Sequence, residues 1–136
     1  MFEILEHTAD IGFRVRGRTL AELFETAAQA LVSIAVEIED ITPRQAYPLA
    51  AEGEDYESLL VNWLSEVLYW LDGKRVAMRR FQVTDLVPCR VSGEGIGEPR
   101  QAACHRAKLV VKGVTYHQLK IVEEPDGWWA QVFLDI

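Results

Sequence analysis

Residues 56–71 constrain this chain more than any other stretch. Leu59, Leu60, Trp63, Leu64, Val67, Leu68 and Leu71 recur at three- and four-residue spacing. They form an apolar face too broad to be left in water on a surface helix. Such a helix must be covered, so it is expected to be the central packing helix of the domain. The turn Glu52-Gly53-Glu54-Asp55 leads into it, with Asp55 a good N-cap, and Asp72-Gly73 supplies a stop signal. A second amphipathic helix is predicted over residues 20–34. Thr19-Leu20-Ala21-Glu22 has capping-box spacing, and Leu20, Leu23, Phe24, Ala27, Ala28 and Leu31 make its apolar stripe.

The remaining patterning is that of strands. Ile11, Phe13 and Val15 alternate with Gly12, Arg14 and Arg16, the period of a half-buried strand. Residues 41–51 carry Pro43 and Pro48, so a strand there is short or lies at an edge. Residues 76–91 read as strand, and residues 92–99, rich in glycine, as a flexible loop. The glycine pattern of that loop lacks the strand–turn–helix context of a phosphate cradle, so no phosphate role is expected. Residues 108–123 and 128–134 flank the turn Pro125-Asp126-Gly127 and form an antiparallel hairpin. With no internal repeat or linker, residues 1–136 are expected to form one α+β domain. Its two helices should pack on one face of a mainly antiparallel sheet.

Charge and composition limit the function. A chain of 136 residues, 49% hydrophobic, can bury a core without a disulfide or metal staple. Lys plus Arg number 14 against 21 Asp plus Glu, a formal charge of −7. Nucleic-acid binders owe most of their affinity to neutralised phosphates, so binding over the whole surface is excluded. Arg14, Arg16 and Arg18, and Arg75, Arg79 and Arg80, are expected to be solvated strand and turn residues. Cys89 and Cys104 lack zinc-ribbon or redox-pair spacing and are expected to be buried or idle thiols in a cytosolic protein. The opening MFEILEHTAD carries acids where a signal peptide carries a basic end, and no apolar run reaches the roughly 20 residues of a membrane span. A soluble, cytoplasmic protein is expected.

Signatures of established chemistry are few. The sequence contains no GxSxG, HExxH, Walker A or kinase motif. Cys104-His105 falls on an expected loop with no assured base or oxyanion donor. His7-Thr8-Ala9-Asp10 interrupts a strand pattern and suits a turn, and His117 is expected to be a structural histidine. Asp135 and the α-carboxylate of Ile136 place two anionic groups side by side at a strand end. A third carboxylate folded against them would concentrate charge that a hard divalent cation relieves. Spacing alone does not bring Asp10 there.

Three segments together resemble the archease family: His7-Thr8-Ala9-Asp10-Ile11-Gly12 with Arg16-Gly17, the helix around Leu59-Leu60-Val61-Asn62-Trp63, and Lys112-Gly113-Val114-Thr115-Tyr116-His117. Gly127-Trp128-Trp129-Ala130 and the terminal Asp135-Ile136 extend the resemblance over nearly the whole chain. It implies a two-layer α/β fold related to the strand–helix–strand–strand modules. The implied protein is not an enzyme but a cofactor of an RtcB-type RNA ligase in tRNA splicing and RNA repair, promoting guanylylation and repeated turnover. It further implies a metal site, assigned to calcium in the family, carried over to Asp10, Asp135 and Ile136. An acidic residue before the second helix is implicated as well, with Asp55 or Glu54 the nearest match. Strong direct RNA binding and membrane association are not expected. Two other classes stay open: a small-molecule- or metal-binding module without a ligase partner, and a hydrolase using His7, Asp10 or Cys104.

Overall fold

The computed structural model describes residues 10–136. In chain order the elements are β1 (Asp10–Gly17), α1 (Leu20–Ala35), a 3-10 turn (Ile38–Asp40), β2 (Gln45–Glu52), α2 (Tyr56–Leu68), a π turn (Tyr69–Gly73), β3 (Val76–Val87), β4 (Arg90–Pro99), β5 (Gly113–Glu124) and β6 (Gly127–Asp135). The fold is α+β, as the patterning requires. Its strands, however, are divided between two three-stranded antiparallel sheets, ordered β1-β6-β5 and β2-β4-β3. The helices join them: α1 packs on β1 and β3, and α2 packs on β2 and β5.

Both helices start as their caps dictate. Thr19 accepts the Glu22 amide at 3.1 Å, and Asp55 accepts the Ser58 amide at 2.8 Å. Trp63 is fully buried, and its indole N–H donates to the Phe24 carbonyl at 3.0 Å, tying the two helices together. The α-helical stretch of α2 ends at Leu68 and continues as the π turn. The left-handed residue that follows is Arg75 (φ 59°), not a glycine. Its carbonyl is held by the Arg100 amide at 2.7 Å.

Three strand expectations need correction. Residues 76–91 are not one strand: β3 ends at Val87, and after a turn at Pro88 and Cys89 β4 begins at Arg90. Residues 92–99 are not a loop: β4 is the central strand of the second sheet. Gly93, Gly95 and Gly97 alternate on the side where β3 crosses closely. A Cβ at Gly93 or Gly97 would collide with the Gln82 or Ala77 carbonyl, and one at Gly95 with the Met78 sulfur. The glycines permit that close approach. Residues 108–112 lie outside β5, which begins at Gly113. As Pro48 suggests, β2 is an edge strand. The other edge of this sheet, β3, is covered from α1: Glu25 accepts the Val83 amide at 2.8 Å and Gln29 donates to the Arg79 carbonyl at 3.3 Å.

Cys89 and Cys104 are free thiols, both exposed rather than buried. His7 lies outside the described residues. Among the described residues no helix is long and apolar enough to cross a membrane.

Candidate functional site

The alternation of β1 and β6 sends one set of side chains inward and the other outward. Ile11, Phe13 and Val15 meet Leu134, Val132 and Ala130 on the core side. The outward rungs are Asp10 opposite Asp135, Gly12 opposite Phe133, Arg14 opposite Gln131, and Arg16 opposite Trp129. The structure therefore brings Asp10 and Asp135 directly across from one another, although 125 positions separate them in the sequence. Like charges on facing strand positions repel. Asp10 is exposed, Asp135 is half-buried, and half-buried Ile136 follows immediately, packed against the core.

No group of three or more His, Cys, Asp or Glu side chains among the described residues is arranged to hold a metal ion. The groups at this strand end that could hold an ion are Asp10, Asp135 and the α-carboxylate of Ile136 beside them. That donor set is all oxygen and anionic, which suits a hard cation such as Ca²⁺ or Mg²⁺ and does not suit zinc. Asp55 has a different position and task. Its carboxylate is occupied by the α2 cap, and the Ser58 amide holds its pKa below the usual carboxylate value. The Ser58 hydroxyl in turn accepts the Glu54 and Asp55 amides at 2.8 and 3.1 Å.

Beyond the carboxylates, the outward face carries a polar chain that sequence reasoning missed. Arg14 Nε donates to Gln131 Oε1 at 2.9 Å, and Gln131 Nε2 donates to the Gln118 carbonyl at 2.9 Å. The Arg14 guanidinium also lies 5.5 Å from the Trp129 ring centre. Arg16 pairs with Glu124 at 3.2 Å. The chain ends on an irregular stretch of β5. Between the pairs Thr115–Phe133 and Lys120–Gln131, β5 inserts Tyr116, His117, Gln118 and Leu119 against the single residue Val132. Thr115 shapes the bulge: its hydroxyl donates to the Phe133 carbonyl at 3.2 Å and accepts the His117 amide at 3.2 Å. Gln118 adopts a left-handed φ of 51°, a conformation that costs a non-glycine residue about 1–3 kcal/mol. His117 is not enclosed; it is exposed, with its ring edge-on to Phe133 at 5.7 Å. The one available signal was Gln131, a polar residue inside the run Ala130–Leu134.

The expected Cys104–His105 loop has a structural role. His105 is buried; its Nδ1 accepts the Gln101 amide at 2.9 Å, and Nε2 lies 2.8 Å from Glu98. Glu98 also accepts the Thr42 amide at 2.9 Å and Arg44 Nε at 2.9 Å. These bonds, led by the Thr42 amide, hold its pKa below the usual value. Cys104 Sγ lies 3.6 Å from Gln101 Oε1, an arrangement with no nucleophile–base pair.

Residues 2–136 match the model of the Archease protein family. Over 139 aligned positions the chain is 40% identical to the protein archease of Pyrococcus furiosus, covering 99% of this chain and 98% of that protein. It is 36% identical to that of Methanosarcina barkeri, covering 99% and 95%. The solution structure of protein 1598 of Methanobacterium thermoautotrophicum superposes with a TM-score of 0.77 at 27% identity, covering 99% of this chain and 96% of that one. An archease crystal structure from Thermotoga maritima, 21% identical, shares the fold with a TM-score of 0.68 over 100% and 98% of the two chains. The chain belongs to the archease family.

Proposed function

We propose that this chain activates an RtcB-type RNA ligase, promoting guanylylation of the ligase and its repeated turnover in tRNA splicing and RNA repair. In this reading it is a protein factor and catalyses no step itself. Asp10, Asp135 and the Ile136 α-carboxylate hold a divalent cation, calcium by the family resemblance. The observation that carries the reading is the direct pairing of Asp10 with Asp135 across β1 and β6, next to Ile136. Two opposed carboxylates on an exposed strand end weaken the sheet. Their pairing is accounted for by a cation that they hold together. The chain's formal charge of −7 also favours encounter with a basic partner and disfavours RNA itself.

The test is ligase guanylylation followed with and without equimolar protein. The protein should accelerate it while joining no RNA ends alone. Asp135→Ala, and a C-terminal extension that converts the Ile136 carboxylate into a peptide carbonyl, should each abolish the stimulation and weaken Ca²⁺ binding. An N-terminal tag should be tolerated. A cognate ligase indifferent to the wild-type protein removes the ligase reading.

A further inference from the structure

We propose that the outward face of the β1-β6-β5 sheet, around Arg14, binds one dinucleotide step of a single-stranded nucleic acid. Two cavities share the Arg14 side chain. One, of about 420 Å³, is lined by Arg14, Val15, Arg16, Glu124 and Trp129. The other, of about 300 Å³, is lined by Gly12, Phe13, Arg14, Gln131 and Phe133. Arg14 thus stands between the Arg16–Trp129 rung on one side and the Gly12–Phe133 rung on the other. Each cavity carries one outward aromatic ring, and both volumes lie in the range of small-ligand sites, roughly 300–1,000 Å³.

Each part is held in place by a neighbour. Gln131 is buried, takes Arg14 Nε at 2.9 Å and is itself anchored on the Gln118 carbonyl at 2.9 Å. That fixes the guanidinium, while its two terminal nitrogens have no hydrogen-bond partner among the described residues. They form a donor fork of the kind that fits phosphate oxygens. Phe133 is placed by the glycine opposite. A Cβ at Gly12 would lie 2.8 Å from the Phe133 ring, so the ring rests on bare β1 backbone, with His117 edge-on to it. Trp129 lies beside the guanidinium at 5.5 Å. Ring, guanidinium and ring therefore follow one another along the rungs of residues 129, 131 and 133, roughly 7 Å apart.

Charge selects the occupant. Arg16 is matched by Glu124 at 3.2 Å, which leaves Arg14 as the one unmatched cation among the residues lining the two cavities. A single phosphodiester supplies the single negative charge, and the base on each side of it supplies a flat face for one ring. Antiparallel sheets with outward aromatic rings recognise single strands in this way, by stacking successive bases. A free phosphate would leave both rings uncovered, and an apolar peptide would leave Arg14 unmatched. The formal charge of −7 opposes a longer strand, so the face takes one step and gives no strong binding to RNA as a whole. This site is independent of the ligase reading and is tested without a ligase.

The experiment titrates the isotope-labelled protein with the dinucleotide ApA, with adenosine and with inorganic phosphate, following the Trp129 indole N–H and the Arg14 Nε–H by NMR. ApA should move both resonances along one saturable curve, with adenosine and phosphate each binding at least about tenfold more weakly. The logarithm of ApA affinity should fall against the logarithm of salt concentration with a slope of about −0.7, the value for one phosphate contact. Arg14→Gln, at an exposed position, should flatten that slope, and Trp129→Leu and Phe133→Leu should each weaken ApA about tenfold, with unfolding curves matched to wild type. An oligoadenylate should gain over ApA only the statistical factor for its extra steps. Comparison with d(ApA) separates RNA from DNA as the source of the strand, either result supporting the step. No saturable shift with ApA, or ApA binding unchanged in Arg14→Gln, overturns the proposal. Phosphate matching ApA reduces the face to an anion site and overturns it as well. So does concentration-dependent broadening of the same resonances without nucleotide, which assigns the face to a second copy of this chain.

Discussion

The two sheets have equal strand numbers and the same antiparallel pairing, yet they are built for different ends. In the β2-β4-β3 sheet the exposed backbone is blunted. Pro48 lies in one edge strand, Glu25 and Gln29 bond the other, and three glycines let β3 and β4 approach closely. In the β1-β6-β5 sheet the outward face carries opposed carboxylates, the Arg14–Gln131–Gln118 chain and a bulge with a left-handed glutamine. One sheet resolves its local conflicts and the other retains them. Conflicts retained in a folded protein mark the places where its chemistry is found.

That contrast can be broken from the shared core outward. Trp63→Ala should cost about 3–5 kcal/mol, because the residue is fully buried between helices that serve both sheets. Chemical denaturation should then show both sheets unfolding together at a lower midpoint; separate transitions would mean that the sheets are independent. Gly97→Ala acts on the quiet sheet alone. Its Cβ would meet the Ala77 carbonyl, and the shift this forces should cost about 1–3 kcal/mol while leaving ligase stimulation unchanged per folded molecule.

Acid should touch the same quiet sheet. Glu98 has a folded pKa below its unfolded one, so its contribution is present above the ordinary glutamate range and is lost as pH falls through the folded value. Unfolding free energy measured against pH should fall on that acidic limb, and Glu98→Gln should flatten it. The smallest effect has the opposite sign. Asp10→Asn removes the repulsion facing Asp135 and should stabilise the fold by about 0.2 kcal/mol, since Asp10 is exposed and water screens it from half-buried Asp135, yet abolish stimulation. A variant that gains stability and loses activity is the sharpest evidence that the β1-β6-β5 sheet holds its conflict for function. Equal losses of both would erase the distinction between the sheets.

Much of this organisation was legible in the residues. The apolar spacing around Trp63, the Asp55 cap and the Pro125-Asp126-Gly127 turn each express a local rule, and each appears where that rule places it. The meeting of Asp10 with Asp135 was legible only conditionally, because it depends on β1 and β6 becoming neighbours. What could not be read depends on distant partners. The glycines of β4 mimic a loop until the β3 backbone is laid against them. Gln131 has no meaning without Arg14 and Gln118, and buried His105 none without Glu98. The division into two sheets is invisible to periodicity, since alternation specifies a strand's faces and not its neighbours.

The position of β6 carries a consequence for how the molecule is made. The β2-β4-β3 sheet is assembled from the contiguous residues 45–99, so it can pair as soon as that stretch has left the ribosome. The other sheet cannot. Its middle strand follows both of its neighbours in chain order, and until residues 127–135 emerge both β1 and β5 wait without the partner to which each is hydrogen-bonded. Closing that long loop is the slow, non-local step of folding. The Asp10–Asp135 pair is therefore among the last features to form, and a chain stalled before residues 127–135 lacks it.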